Sequence, residues 1–137
     1  MEGKERITRA LNRKEVDRTP VWFMRQAGRH LPEYRKLAKE HDFWERCKDT
    51  DICSKISLQP IERYPGIDAT IVFSDILTPL PSLGYDVKYG GGIKIDPFEL
   101  EDVDSWPEFR AREHAPWAGD ALREIGVQEE NKARLGF

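Results

Sequence analysis

Two short apolar runs, Pro20-Val21-Trp22-Phe23-Met24 and Ala69-Thr70-Ile71-Val72-Phe73, are set apart by a long stretch of helix-forming sequence. That order constrains the fold more than any other feature of the chain. Both runs are β-prone and apolar without alternation, the pattern of a strand buried on both faces. Strands separated by helices point to the α/β class and a parallel sheet, because a parallel return needs a crossover. Helices are predicted over 3–12, 32–40, 44–63 and 116–125. The first, within EGKERITRALNRKEVDR, reads as amphipathic, with Ile7, Ala10 and Leu11 on one face. In the second, Pro32 and Glu33 suit a helical first turn. In the last, Trp117, Ala121, Leu122 and Ile125 recur at helical spacing as a core stripe, with Pro116 in the first turn and Gly126 at the stop. Gly90-Gly91-Gly92, flanked by Asp86-Val87-Lys88-Tyr89 and Ile93-Lys94-Ile95-Asp96, predicts a hairpin within 85–96.

The first run leads into a cluster of charge. Residues 21–37 read VWFMRQAGRHLPEYRKL, placing Arg25 and Arg29 around Gln26, Ala27 and Gly28 in a strand-to-helix loop. Gly28 permits a tight backbone turn there. A guanidinium is a rigid fork of donors that grips a carboxylate or phosphate at two points, so two in one loop suit a polyanionic ligand. Spacing alone leaves surface charge or structural pairing as the commoner use of such arginines. The second run ends at Ser74-Asp75, and Pro79 and Pro81 then mark an irregular connection. A lone aspartate at a strand end usually forms a turn or caps a helix. Here it is the second charged group at the carboxyl end of a strand, where parallel α/β folds build their sites.

With 137 residues, 39% hydrophobic and 34% charged, residues 1–137 have the length of one ordinary domain. The formal charge of −3 without a long Lys/Arg block argues against a nucleic-acid binder. No apolar run reaches the length of a membrane span and no signal peptide opens the chain, so no membrane association is expected and cytoplasm is the expected location. Cys47 and Cys53 match no zinc-ligand spacing and read as buried or partly buried free thiols; no metal site is expected. His30, His41 and His114 are scattered. No Ser-His-Asp order, phosphate-binding glycine loop or dinucleotide fingerprint is present. Phe43-Trp44, between the two middle helices, is read as core packing.

The RQAGR motif followed by HLPEYRK resembles the N-terminal signature of the uroporphyrinogen decarboxylase family. A second anchor is GIDATIVFSDILTPLPSLGYDV, residues 66–87. The resemblance extends over essentially the whole chain. It implies a (β/α)₈ TIM-type barrel of which residues 1–137 form the N-terminal portion, incomplete in this chain. A whole barrel takes ~250 residues, and KARLGF at 132–137 resembles the opening of the third barrel strand. It further implies stepwise removal of the acetate carboxyl groups of uroporphyrinogen to give coproporphyrinogen, on the way to haem, by a carboxy-lyase without metal or organic cofactor. A homodimer is implied when the protein is full length, and the Phe43-Trp44 neighbourhood forms part of the cleft wall. The FSDIL segment implies a functional aspartate at Asp75, accepting pyrrole N–H bonds and stabilising positive charge on the ring. Arg25 and Arg29 would hold substrate carboxylates, with Gln26, Ala27 and Gly28 shaping the loop. Whether either arginine moves a proton stays open. His30 stands where the family often has tyrosine, and the stretch after Gly84 is richer in glycine. Two other readings stay open. One is a related barrel methyltransferase, which would carry zinc-ligand His/Cys motifs downstream and has no need of the RQAGR loop. The other is a truncated, non-catalytic protein that binds an acidic tetrapyrrole or a partner subunit; a 137-residue piece is expected to be inactive alone.

Overall fold

The structure, a computed structural model, describes residues 1–23, 28–82, 84–95 and 110–136. In chain order the elements are α1 (Gly3–Leu11), α2 (Pro32–Glu40), α3 (Phe43–Lys48), α4 (Thr50–Arg63) and β1 (Ala69–Ile71). They continue with α5 (Pro79–Ser82), β2 (Val87–Tyr89), β3 (Ile93–Ile95), α6 (Ala111–His114), α7 (Pro116–Gln128) and β4 (Ala133–Leu135).

β1 and β4 are parallel neighbours, with Ala69 opposite Ala133 and Ile71 opposite Leu135. The Val72 N–H extends the ladder to the Leu135 carbonyl at 3.0 Å. The return between them runs through the hairpin and α7, which is the crossover that parallel pairing demands. β2 and β3 form the predicted antiparallel hairpin, Val87 opposite Ile95. Its turn uses Gly91 at φ 63° and Gly92 at φ 125°, left-handed backbone that side-chain-bearing residues avoid. Trp44 docks the hairpin on α3 by donating its indole N–H to the Val87 carbonyl at 2.7 Å.

α4 packs against α7 and β1 and is the buried centre of the described residues. Its side chains from Cys53 to Ile61 are buried nearly all round, as a core helix requires. Ile56 and Ile125 both belong to that core with no exposed surface, each worth roughly 1.5–3 kcal/mol of burial. Polar groups on α4 are also used. The Ser57 hydroxyl donates to the Cys53 carbonyl at 2.7 Å and accepts the Phe73 N–H at 2.9 Å, while the Cys53 thiol donates to the Phe73 carbonyl at 3.3 Å. These bonds lock the chain leaving β1 onto the helix, two residues before Asp75.

Four expectations are corrected. Residues 20–23 carry no strand ladder. Asp68 donates its backbone N–H to the Val21 carbonyl at 2.7 Å, but the Val21 N–H goes to the Asp68 carboxylate at 2.8 Å instead of a neighbouring carbonyl. The helix expected over 44–63 is two helices, because Asp49 takes extended backbone (ψ 116°) and ends α3 while capping α4. Gly126 does not stop α7, which continues to Gln128. A Cβ at Gly126 would stand 1.7 Å from the Arg134 guanidinium, so this glycine clears a path for that side chain. On α1 the buried residues are Gly3 and Arg6, and Leu11 is 80% exposed. Arg6 turns inward because Asp17 and Asp68 meet its guanidinium.

Candidate active site

Asp75 sits four residues beyond the end of β1, in the loop fixed by the Ser57 and Cys53 contacts to Phe73. Its Oδ1 accepts the Leu77 N–H at 2.9 Å, and its carbonyl accepts the Thr78 N–H at 3.0 Å and hydroxyl at 2.6 Å. This is the self-bonded turn that aspartate favours. The turn-forming use of Asp75 is therefore real, and it leaves the carboxylate half-buried on the wall of an open groove of about 920 Å³. Val72, Thr78, Ala115 and Leu122 supply apolar and hydroxyl lining, and Arg112 and Arg123 bring positive charge. Asp75 makes no salt bridge among the described residues.

Gly28 and Arg29 are the described part of the arginine loop; Arg25, Gln26 and Ala27 lie outside the described residues. Gly28 is buried at φ +68°, and a Cβ there would press on Leu31 Cδ1 at 2.9 Å. Its carbonyl accepts the Leu31 N–H at 2.7 Å, just before α2 begins. Glycine is thus required by backbone sign, while the close approach falls on the movable tip of a leucine side chain. Arg29 is exposed and near enough to act on two groups that Asp75 also touches electrostatically, the Cys47 thiol and the Tyr89 phenol. The loop's described end and the β1 loop therefore share one neighbourhood. His30 stacks on Tyr64 with ring centroids 6.1 Å apart and shares a 3.1 Å hydrogen bond with its hydroxyl.

Tyr89 also belongs to an aromatic cluster around Phe43, whose Phe43-Trp44 pair reads from the sequence as core packing and, by the family resemblance, as part of a cleft wall. Phe43 stacks on Tyr89 at 3.9 Å and tilts against Phe73 at 5.7 Å. The buried Arg46 guanidinium lies within 6 Å of the Tyr34, Phe43 and Phe73 rings, a cation–π arrangement. Burial pushes the Cys47 thiol up to about 12, with neighbouring Cys53 adding to the effect. Both cysteines are buried and free, as expected. Sequence reasoning missed Tyr89, which the hairpin carries back to α3. The only signal was the i, i+2 alternation of Val87 and Tyr89, which places both on one hairpin face.

A model of the uroporphyrinogen decarboxylase (URO-D) family matches residues 2–135. The chain belongs to the uroporphyrinogen decarboxylase family. Proteins named uroporphyrinogen decarboxylase from Magnetococcus marinus and Alcanivorax borkumensis are 50% identical over 100 residues and 53% over 90. These alignments cover 71% and 64% of the chain, but 28% and 25% of those relatives. The one from Bacillus subtilis is 36% identical over 137 residues, covering 97% of the chain and 38% of its own length. The chain therefore spans between a quarter and two-fifths of the curated relatives it matches. A methyltransferase from Methanosarcina mazei superposes over 99% of the chain and 42% of its own, with a TM-score of 0.70 at 18% identity. At that identity the likeness concerns the fold alone. Mixed helix and strand with a parallel β1–β4 pair agrees with the α/β expectation for this uroporphyrinogen decarboxylase family member. No helix among the described residues is long and apolar enough to cross a membrane.

Proposed function

We propose that the protein carrying this chain is a cytoplasmic uroporphyrinogen decarboxylase. In this reading residues 1–137 contribute the first strand–helix units of a TIM-type barrel, and the full-length protein is a homodimer. The substrate is a reduced tetrapyrrole bearing acetate groups. A neutral pyrrole offers no place for the electron pair left when an acetate loses CO₂. Adding a proton to the neighbouring ring carbon makes the ring cationic and turns it into the electron sink. The C–C bond to the carboxylate then breaks, CO₂ leaves, and the pair enters the ring. A second proton converts the exocyclic methylene to methyl as the ring carbon returns its proton. The net change is one proton taken up for each CO₂ released, and no bound cofactor enters these steps.

Asp75 is assigned the pyrrole N–H groups, which it accepts while its charge stabilises the cationic ring. Its engagement by Leu77 leaves acceptor capacity for substrate, since a carboxylate takes about four hydrogen bonds. Arg25 and Arg29 are assigned the substrate carboxylates, with Gln26, Ala27 and Gly28 shaping the loop between them. The observation that carries this reading is the placement of Asp75 at the carboxyl end of β1, facing the groove. Asp75→Asn in the full-length protein tests it. Turnover of uroporphyrinogen under anaerobic conditions should fall by ~10²-fold or more in a folded variant. Near-normal turnover would remove Asp75 from the mechanism.

A further inference from the structure

The Tyr89 hydroxyl is buried and has no hydrogen-bond partner among the described residues. Nearly all buried polar side chains in native proteins have one, so an orphan of this kind calls for an explanation. The ring itself is well held. It stacks on Phe43 at 3.9 Å and meets Trp44 edge-on at 5.6 Å, and Trp44 in turn bonds the Val87 carbonyl two residues earlier on β2. Phe43 also packs on Phe73, which the Ser57 and Cys53 contacts hold two residues before Asp75. One aromatic stack therefore fixes the hairpin's phenol relative to the β1 loop, and the Asp75 carboxylate is near enough to influence the phenol, although the two do not meet the geometry of a formed hydrogen bond in this structure.

We propose that Tyr89 is a positioning residue for the decarboxylase reaction, donating its phenolic O–H to the Asp75 carboxylate and holding that acceptor in place for the pyrrole N–H groups. The proposal rests on the assignment of Asp75 to the substrate. A phenol is a suitable donor and an ionised carboxylate a pure acceptor, so each supplies what the other lacks. Among the described residues no other side chain stands in that role: Asp75 is otherwise bonded only to the backbone of its own turn through Oδ1. The surrounding charge agrees. Burial raises the Tyr89 phenol above its ordinary range, Asp75 raises it further, Cys47 on α3 adds to this, and Arg29 opposes it. A phenol in that setting stays protonated at neutral pH and remains a donor. Arg112 and Arg123 line the same groove as Asp75, and the Arg46 guanidinium lies against the Phe73 ring.

Tyr89→Phe keeps the ring stack and removes only the hydroxyl, so the fold survives while the proposed bond is lost. In the full-length protein we expect Tyr89→Phe to lower kcat by ~10-fold with KM within twofold and an unchanged melting temperature. The double variant with Asp75→Asn should be no slower than Asp75→Asn alone, since the two groups act as a unit. A second readout is ultraviolet titration of the phenol that is lost in Tyr89→Phe. It should ionise at lower pH in Asp75→Asn, because removing the carboxylate charge makes tyrosinate less costly. Asp75→Asn impaired with Tyr89→Phe at wild-type kcat would overturn the Tyr89 proposal alone. Effects that multiply in the double variant, or a phenol titration unmoved by Asp75→Asn, would also overturn it. Asp75→Asn at wild-type turnover would instead overturn the Asp75 assignment.

Discussion

Burial pushes the thiols of Cys47 and Cys53 up to about 12 and about 11, far from the pH at which a thiolate forms. Both side chains are almost fully covered, at 1% and 0% exposure. The thiolate is the nucleophile that attacks a thiol reagent, so neither cysteine should react in the folded state at neutral pH. Titration with a chromogenic disulfide should find both silent until denaturant is added; rapid labelling of native protein would contradict this burial. Asp68 makes the opposite use of burial. Desolvation would raise its carboxyl, but the Val21 N–H and the Arg18 and Arg6 guanidiniums outweigh it and hold the group below the usual carboxylate range. A carboxyl held low when folded contributes stability that is present above its unfolded value, about 3.9, and is lost as pH falls toward the folded one. Asp68→Asn should therefore cost on the order of 3 kcal/mol at neutral pH, the scale of breaking a buried pair. It should also flatten the acid side of the stability curve. Urea unfolding of both proteins from pH 7 down to pH 3 measures the two effects together. A parallel acid slope in the variant would place the titrating group elsewhere.

At the scale of elements, short-range chemistry explains most boundaries. Asp42 and Glu45 form a reciprocal capping box, with bonds of 2.8 and 2.9 Å, that starts α3. Asp49 accepts the Ile52 N–H at 2.9 Å and starts α4. Two such caps seven residues apart are why one long helix became two. Read as periodicity alone, 44–63 is continuous; read for caps, Asp49 is visible in the sequence. Asp49→Ala should remove an acceptor from an exposed helix start and cost ~1 kcal/mol, seen as a lowered urea midpoint with an unchanged slope. No change in midpoint would mean that packing of the α4 core face sets that boundary without help from the cap.

At the scale of the whole molecule, the described strands occur in two separate pairs, β1 with β4 and β2 with β3. A barrel removes its sheet edges only when every strand is paired, and a two-stranded parallel pair leaves both outer edges with unsatisfied donors and acceptors. A polypeptide limited to residues 1–137 should accordingly show no uroporphyrinogen turnover and should self-associate on a sizing column. An active monomer of that length would overturn the barrel-based reading of the site. Assaying a full-length protein beside that polypeptide separates a catalytic role from a non-catalytic binding role, because only the former gains turnover when a complete barrel is present.

What the sequence by itself determined is what local rules govern. α2 begins at Pro32 and ends at Glu40 as predicted, because proline, glutamate and helical periodicity act within one or two turns. The triple-glycine hairpin follows for the same reason, as left-handed backbone is a property of single residues. Asp75 and the arginine loop were legible as candidates because a charge at the end of an apolar strand is a pattern within a few residues. Tertiary structure alone decided the rest. Arg6 and Arg18 reach Asp68 across 62 and 50 residues of chain, and no local rule foretells which acid a buried arginine meets. That choice also kept residues 20–23 out of a ladder, by giving the Val21 N–H a side-chain acceptor. Gly126 looked like a helix stop, yet only the packing of Arg134 across α7 explains it. Tyr89 gained its place against Phe43 because a hairpin folded back onto α3, a contact set by long-range burial of aromatic surface, which periodicity does not encode.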